Sequence, residues 1–424
     1  MKFKKVLSLV LVASVATSLF VGCGKKDDKG AAGSGPSTVK VMLWATEAKN
    51  QKAVIDQFNN ENKDTKIEVV EAPDNEYPDK LTVTLASGND VDVFGTNNVS
   101  TYADLATKKQ CLDLGELIDK NKLDLKNYNG LTDDMKIDGK LYGLPVRKTA
   151  WALYYNKDLF DKAGVAYPKD DMTWVEFRNL AKQMTKGDGA DKTWGTFIQT
   201  WDNLYQLSAL QKGKTIFSED LKAQKESIQF LNDLYKDGSA SNWGTNKSTS
   251  AHYRAAFEKG NIAMMPMGDF LAGSLISDKA AGKHNVNWDV VSLPHPEGVA
   301  AKTTFGTATP MSINAKTKNK DAAWKVLSYL TGEKGAINSA KLGILPGYIN
   351  DEVNKVYGSA EGTPAGVAKT FLNQKVVPEL PVGKNVKSTL KVFYEQSELY
   401  YIGKNDLDTT MSNIENQRKA EMAK

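Results

Sequence analysis

Cysteine is nearly absent from this 424-residue sequence, which has only Cys23 and Cys111. With Cys23 read below as a lipidation site only Cys111 remains, so no disulfide framework is expected and stability has to come from burial. Histidine is almost as scarce. His252, His284 and His295 are the only three, and none stands at metal-ligand spacing from another histidine or a cysteine. HExxH, Gly-x-Ser-x-Gly, a phosphate-binding P-loop and a GxGxxG after a strand are all missing. No metal and no cofactor is therefore expected, and the common hydrolase and nucleotide-binding classes lose their usual signatures. A carboxylate pair for glycoside hydrolysis stays open, because its separation of roughly 5–9.5 Å is not visible along a chain. Excess charge of one sign is missing too. The net charge of +4 is carried by six lysines against two aspartates before residue 37, which leaves forty-nine charges of each sign in residues 37–424. A neutral body argues against nucleic acid as a partner, which needs a sustained basic surface.

Long apolar runs are also lacking, with one exception. Val6 to Val21 carries no charge, follows Lys2, Lys4 and Lys5, and ends at Gly22-Cys23. It is shorter than the roughly 20 apolar residues a spanning helix needs, and it reads as a signal peptide over 1–22. Phe20-Val21-Gly22-Cys23 resembles a bacterial lipobox, with Phe where Leu is preferred. That resemblance implies cleavage before Cys23 and a diacylglycerol thioether on it, hence a body lipid-anchored at the extracytoplasmic face of the cell membrane. Two acyl chains anchor stably, at about 0.8 kcal/mol per buried methylene. Residues 23–37 continue as Gly, Lys and Asp with few apolar side chains, a composition that predicts a flexible tether.

The remaining body of about 390 residues exceeds what one core usually serves, so two lobes are expected. Short β-type runs alternate with helical patterns, which predicts an α/β fold. Val39–Trp44 reads as a strand apolar on both faces, followed by a helical pattern with Ala53, Val54 and Phe58. Further strands are expected at Ile67–Val70, Val91–Phe94, Leu141–Pro145, Ala152–Asn156, Ile262–Met267 and Trp288–Leu293. Thr173 with Glu176 makes a capping box ahead of Phe177, Leu180 and Met184. Ala322, Ala323, Val326, Leu327 and Leu330 form an apolar stripe stopped by Gly332. Two last helices are expected from about Lys387 to Tyr401 and from Leu407 onward.

Aromatic side chains recur beside polar ones at the expected strand ends and loops. Trp44-Ala-Thr46-Glu47, Trp151, Trp201-Asp202-Asn203, Gly268-Asp269-Phe270 and Pro346-Gly347-Tyr348 are of this kind. A pyranose offers an apolar C–H face to an aromatic ring and a rim of hydroxyls to planar polar groups. Taken singly, each such ring is more often core than ligand platform.

The order of several landmarks is similar to that of the extracellular solute-binding proteins of the maltodextrin-binding type. They are VKVMLW at 39–44, GNDVDVF at 88–94, DGKLYGLP at 138–145, LYYNKD at 153–158, AFEKGNIAM at 256–264 and DAAWK at 321–325. The resemblance implies a two-lobed periplasmic-binding-protein-like fold (type II-like) with a ligand cleft between the lobes. It implies lobe one over 38–147 and 308–355, and lobe two over 150–304 and 360–424. Hinges would fall near 147–150, 305–307 and 357–362, where Gly306 and Gly358 could absorb dihedral change. By position it implies ligand contacts from Trp44, Thr46, Glu47, Thr96, Asn97, Asn98, Arg147, Thr149, Trp201, Asp202, Asp269 and Phe270, with Tyr348 and Asn385 weaker candidates. Its expected partners are an oligosaccharide or other sugar and the permease subunits of an ABC importer, and the protein itself would be a monomer. A glycan-active enzyme, a binder of a non-sugar solute and a sensory lipoprotein remain alternatives at this point.

Overall fold

Strand and helix formation follow the apolar periodicities closely. The structure is a computed structural model that describes residues 36–424 apart from 75, 89, 90, 360 and 384; the side chains of Ala190 and Asp202 are also outside the description. The expected signal peptide, Cys23 and most of the tether lie outside the described residues. Among those described, no helix is long and apolar enough to cross a membrane.

The strands are Ser37–Trp44 (β1), Thr65–Ala72 (β2), Val93–Gly95 (β3), Leu144–Lys148 (β4), Trp151–Asn156 (β5), Trp194–Thr196 (β6), Ile262–Gly268 (β7), Trp288–Ser292 (β8), Thr303–Gly306 (β9), Ala308–Ile313 (β10) and Lys375–Pro378 (β11). They form a five-stranded sheet in the order β2-β1-β3-β10-β4 and a four-stranded sheet in the order β6-β7-β5-β8. A parallel pair, β11-β9, was not anticipated from the sequence.

In the first sheet β1 runs parallel to both β2 and β3. Parallel neighbours need a crossover, supplied by the helix Ala45–Glu61, which buries Val54, Ile55 and Phe58 against the sheet. The helix Lys320–Thr331 covers the same core with Ala323, Val326, Leu327 and Leu330, and Gly332 ends it as expected. In the second sheet β5 pairs antiparallel with β7 and β8, and all six of its residues are buried. Thr173 caps the helix Trp174–Met184 in a reciprocal capping box with Glu176. Phe177 and Met184 face this second core, as do Ile228, Leu231 and Leu234 of the helix Lys222–Lys236. Each sheet thus has its own core, and the molecule is a two-lobed α/β protein.

The chain passes between the sheets in very few residues. Only Thr149 and Ala150 separate β4 from β5, and only Thr307 separates β9 from β10. The two passages touch, the Thr149 amide donating to the Thr307 carbonyl at 2.8 Å. Gly306 is needed here for proximity rather than for dihedral freedom. A Cβ on it would lie 1.8 Å from the Thr149 carbonyl oxygen. A third strand of chain runs beside them at 345–347, where Leu345 accepts from the Lys148 amide and Gly347 donates to Val146.

The expected third hinge near 357–362 is corrected on this point. Residues 351–359 are helical, and Val353 and Tyr357 are buried with the second core. Gly358 sits inside that helix, 3.3 Å (from its would-be Cβ) from Ala368 of the next helix, so it serves helix packing and not a hinge.

Candidate functional site

The first helix opens directly from the end of β1, so its first turn is carried at the C-terminal end of an inner strand of the sheet. Thr46 is exposed there and is held by Asp74, which accepts from both its amide, at 2.9 Å, and its hydroxyl. Glu47 is buried, with 1% of its surface exposed. Its carboxylate accepts from Gln51 Nε2 at 3.0 Å and lies 3.4 Å from Arg147 Nε. The helix N-terminus favours a carboxylate at this position, and the guanidinium supplies its counter-charge.

Arg147 belongs to β4, immediately before the first passage between sheets. Because strand side chains alternate, Arg147 and Lys148 point to opposite faces. Arg147 is partly exposed on the Glu47 side. Across the passage, the buried Asp269 accepts from the Ala150 amide at 3.2 Å and donates its own amide to the Ala150 carbonyl at 2.9 Å. Burial pushes the Asp269 carboxyl up to about 6, against the opposing pull of Arg147 and of backbone amides at Ala150 and Leu345.

Beyond this tie four aromatic rings meet. Trp151 lies edge-on to Trp201 and to Phe270, with centroids 6.4 and 6.1 Å apart. Trp201 and Phe270 are 6.1 Å apart, and Tyr253 sits 5.3 Å from Trp201 and 5.6 Å from Phe270. Trp151 is buried under them, whereas Trp201, Tyr253 and Phe270 are half-buried. Gly268 allows Phe270 to fold back over β7, since a Cβ there would come within 2.3 Å of the ring. Glu379 closes the group, accepting from Trp151 Nε1 at 3.1 Å and from Asn203 Nδ2 at 2.8 Å. Apolar ring faces beside a carboxylate and a carboxamide can stack a sugar ring while bonding its hydroxyls.

The structure thus brings together Arg147, Thr149, Asp269, Phe270 and Trp201 around the passages, with Glu47 beside Arg147. Other expected residues take structural roles. Trp44 is 7% exposed, its ring packed edge-on against Tyr77 and over Gly95 in the first lobe's core. The structure thus places Trp44, expected as a ligand contact, in the first lobe's core. Asn98 caps the helix Val99–Thr107 by accepting from the Thr101 amide, and it also donates to Asn97, whose side chain remains exposed. Thr96 is fully buried and bonds Pro310. Tyr348 accepts from Asn127 and meets Tyr128 edge-on at 5.6 Å. Asn385 is spent on the Glu421 carbonyl in a contact with the last helix. Asp202 begins a 3-10 turn, and its side chain lies outside the description. Tyr253 and Glu379 were not anticipated, and Trp151 and Asn203 only as members of a general aromatic-polar pattern.

A family model described as bacterial extracellular solute-binding protein matches residues 44–337. Among solved structures, a sugar transporter of Rhizobium etli in an open conformation is similar at TM-score 0.83 and 30% identity, covering 90% of this chain and 99% of that one. An ABC substrate-binding protein of Listeria monocytogenes in complex with cycloalternan is similar at TM-score 0.77 and 26% identity, over 92% of this chain and 99% of that one. Among curated proteins, the sn-glycerol-3-phosphate-binding periplasmic protein of Rhizobium meliloti is 31% identical over 182 residues, 40% of each chain. A binding protein of Brucella abortus is 30% identical over 204 residues, 46% of this chain and 47% of that one. The chain spans about half the length of the curated relatives it matches.

Proposed function

The chain belongs to the family of bacterial extracellular solute-binding proteins, and from that premise we propose that it captures a carbohydrate, an oligosaccharide, for an ABC importer. The observation that carries the reading is the half-buried group of Trp201, Tyr253 and Phe270 over Trp151, with Glu379 and Asn203 at its edge. Rings supply area to the apolar face of each sugar unit, and the carboxylate and carboxamide fix hydroxyl orientation. The rings form one cluster, and it is the cycloalternan-bound neighbour that favours an oligosaccharide over a single sugar. The sugar-transporter and cycloalternan-bound neighbours, both above 25% identity over nine-tenths of this chain, support the same class.

In this reading Arg147, Thr149 and the exposed Asn97 face the sugar from the first lobe, with the buried Glu47 holding Arg147 in place. The aromatic group faces the sugar from the second. The protein works as a monomer tethered by a lipidated Cys23, and the closed, loaded form is what the permease receives. Closure follows if the sugar binds the closed form more tightly than the open one; equal affinity would shift nothing.

A second reading has one observation in its favour. Arg147 is a partly exposed guanidinium at the passage, and a relative at 31% identity binds sn-glycerol-3-phosphate. A phosphate ester could take that guanidinium bidentately. A thermal-shift panel of mono- and oligosaccharides together with sn-glycerol-3-phosphate separates the two. A ligand at about 100 times its dissociation constant adds about 2.7 kcal/mol of stability. Stabilisation by an oligosaccharide supports the proposal. Stabilisation by the phosphate ester alone would replace it.

A further inference from the structure

Lys148 is a buried cation that the cleft does not use. Its residue is 7% exposed, and among the described residues no hydrogen bond or ion pair engages its ammonium. It points away from Arg147, to the opposite face of β4, and there it lines a cavity of about 240 Å³. Burial depresses its pKa, only partly offset by the field of Asp269, which is itself held by two backbone amides and by Arg147. An ammonium kept without a partner in such a place is costly, and proteins rarely leave that cost unanswered.

The cavity is polar where Lys148 enters it. Gln374 donates to the Trp151 carbonyl and leaves its buried Oε1 unbonded, Lys375 stands exposed at the rim, and Asn129 adds a carboxamide. Asp134 is the lining carboxylate, exposed and not paired with Lys148. Two lysines against one aspartate favour a ligand with a single negative charge. The volume holds about eight waters at roughly 30 Å³ each, which limits the ligand to a few heavy atoms.

We propose that this cavity, on the face of the passages opposite the cleft, is a regulatory binding site for a small monocarboxylate anchored on Lys148. Its walls come from both sides of the passages. The turn Leu131–Asp134 packs on β4 of the first sheet, whereas β11 is paired to β9, which follows the second sheet and precedes the passage. A hinge motion that narrows the cleft changes the gap on the other face. An anion seated there therefore changes the cleft's affinity, and the cleft ligand changes the anion's affinity by the same factor. The regulatory half rests on the solute-binding reading above; the anion site itself does not.

Equilibrium dialysis of the full-length protein with labelled acetate and, separately, inorganic phosphate tests the site at constant ionic strength. One acetate per chain is expected, bound more tightly than phosphate. Lys148→Met should weaken acetate at least tenfold and hold or raise the melting temperature, because it removes an unpaired buried charge. Asp134→Asn, at an exposed position that does not threaten folding, should strengthen acetate severalfold. Absence of saturable acetate binding, or binding indifferent to both substitutions, overturns the site. Tighter phosphate overturns the monocarboxylate assignment. Titrating the cleft ligand with and without saturating acetate tests the coupling, and an unchanged affinity overturns the regulatory role while the dialysis result stands apart from it.

Discussion

Asp269 and Ala150 are bonded in both directions: the Asp269 carboxylate accepts from the Ala150 amide, and the Asp269 amide donates to the Ala150 carbonyl. The residue after Asp269 is Phe270, and the residue after Ala150 is Trp151. One double contact therefore fixes two of the four rings relative to the chain passage that joins the lobes. Tyr154 extends the tie, its hydroxyl donating to Gly268 and accepting from the Ala272 amide. The aromatic group is mounted on the passage itself, so a change of angle between the lobes is felt at the rings.

A pH dependence follows from the same carboxyl. Burial raises Asp269 to about 6, above the value of about 3.9 expected in the unfolded chain. Between these values the folded protein holds a proton that the unfolded chain has lost, so stability falls as pH rises from about 4 to about 6 and then levels. The contribution is on the order of 3 kcal/mol. Urea unfolding at several pH values should show this loss, and Asp269→Asn should remove that component. An identical slope in the variant would assign the titration to another group.

The two lobes were legible because their elements have strong local periods. β1, the Thr173–Glu176 box and the stripe ending at Gly332 are readable within a dozen residues each. The passages were less so, because their identity depends on pairings between distant segments. Glu379 lies between Pro378 and Pro381 and reads as loop. Only the pairing of β11 with β9, extended by the Glu379 amide to the Gly306 carbonyl at 2.7 Å, carries it to Trp151. Trp44 misled for the opposite reason. A tryptophan at a strand end next to Thr and Glu has the local look of a binding loop, but Gly95 on the neighbouring strand opens a slot that takes its ring into the core. The β-branched Val376 and Val377 before Pro-Glu-Leu-Pro were the one local hint of a strand at β11.

Trp44 and Trp201 should accordingly behave in opposite ways. Trp44→Ala empties a core position and should cost about 3–5 kcal/mol of stability in the unliganded protein. Trp201→Ala and Phe270→Ala remove half-buried rings and should weaken a cognate sugar by about ten- to a hundredfold, with smaller losses of unliganded stability. Calorimetry of binding beside chemical unfolding reads both quantities. A large affinity loss in Trp44→Ala with normal stability would return that ring to the site.

Membrane attachment is expected to depend on one atom, the sulfur of Cys23. Cys23→Ala should release the body into the soluble fraction and abolish incorporation of a palmitate analogue. Label that persists in the variant would place the acyl chains elsewhere.

Closure should depend on how tightly the two passages cross. Gly306 and Thr149 cross so closely that a single methyl on Gly306 would meet the Thr149 carbonyl oxygen at 1.8 Å and the Val376 side chain at 3.0 Å. The first contact is with backbone, which cannot swing aside as a flexible side chain can. Gly306→Ala should therefore push the two passages apart, lowering the melting temperature and shifting the angle between the lobes. In the native protein a saturating sugar should reduce the radius of gyration measured by small-angle scattering, because the ligand is held from both lobes. In Gly306→Ala the unliganded radius should differ from the native one, and the liganded radius should fail to reach the native closed value. Sugar affinity should fall with it, since closure would then be paid from binding energy. If the native radius does not move at saturation, the hinge is wrong and the response belongs to loops. If Gly306→Ala closes like the native protein, the crossing tolerates a methyl and the hinge axis lies away from Thr149.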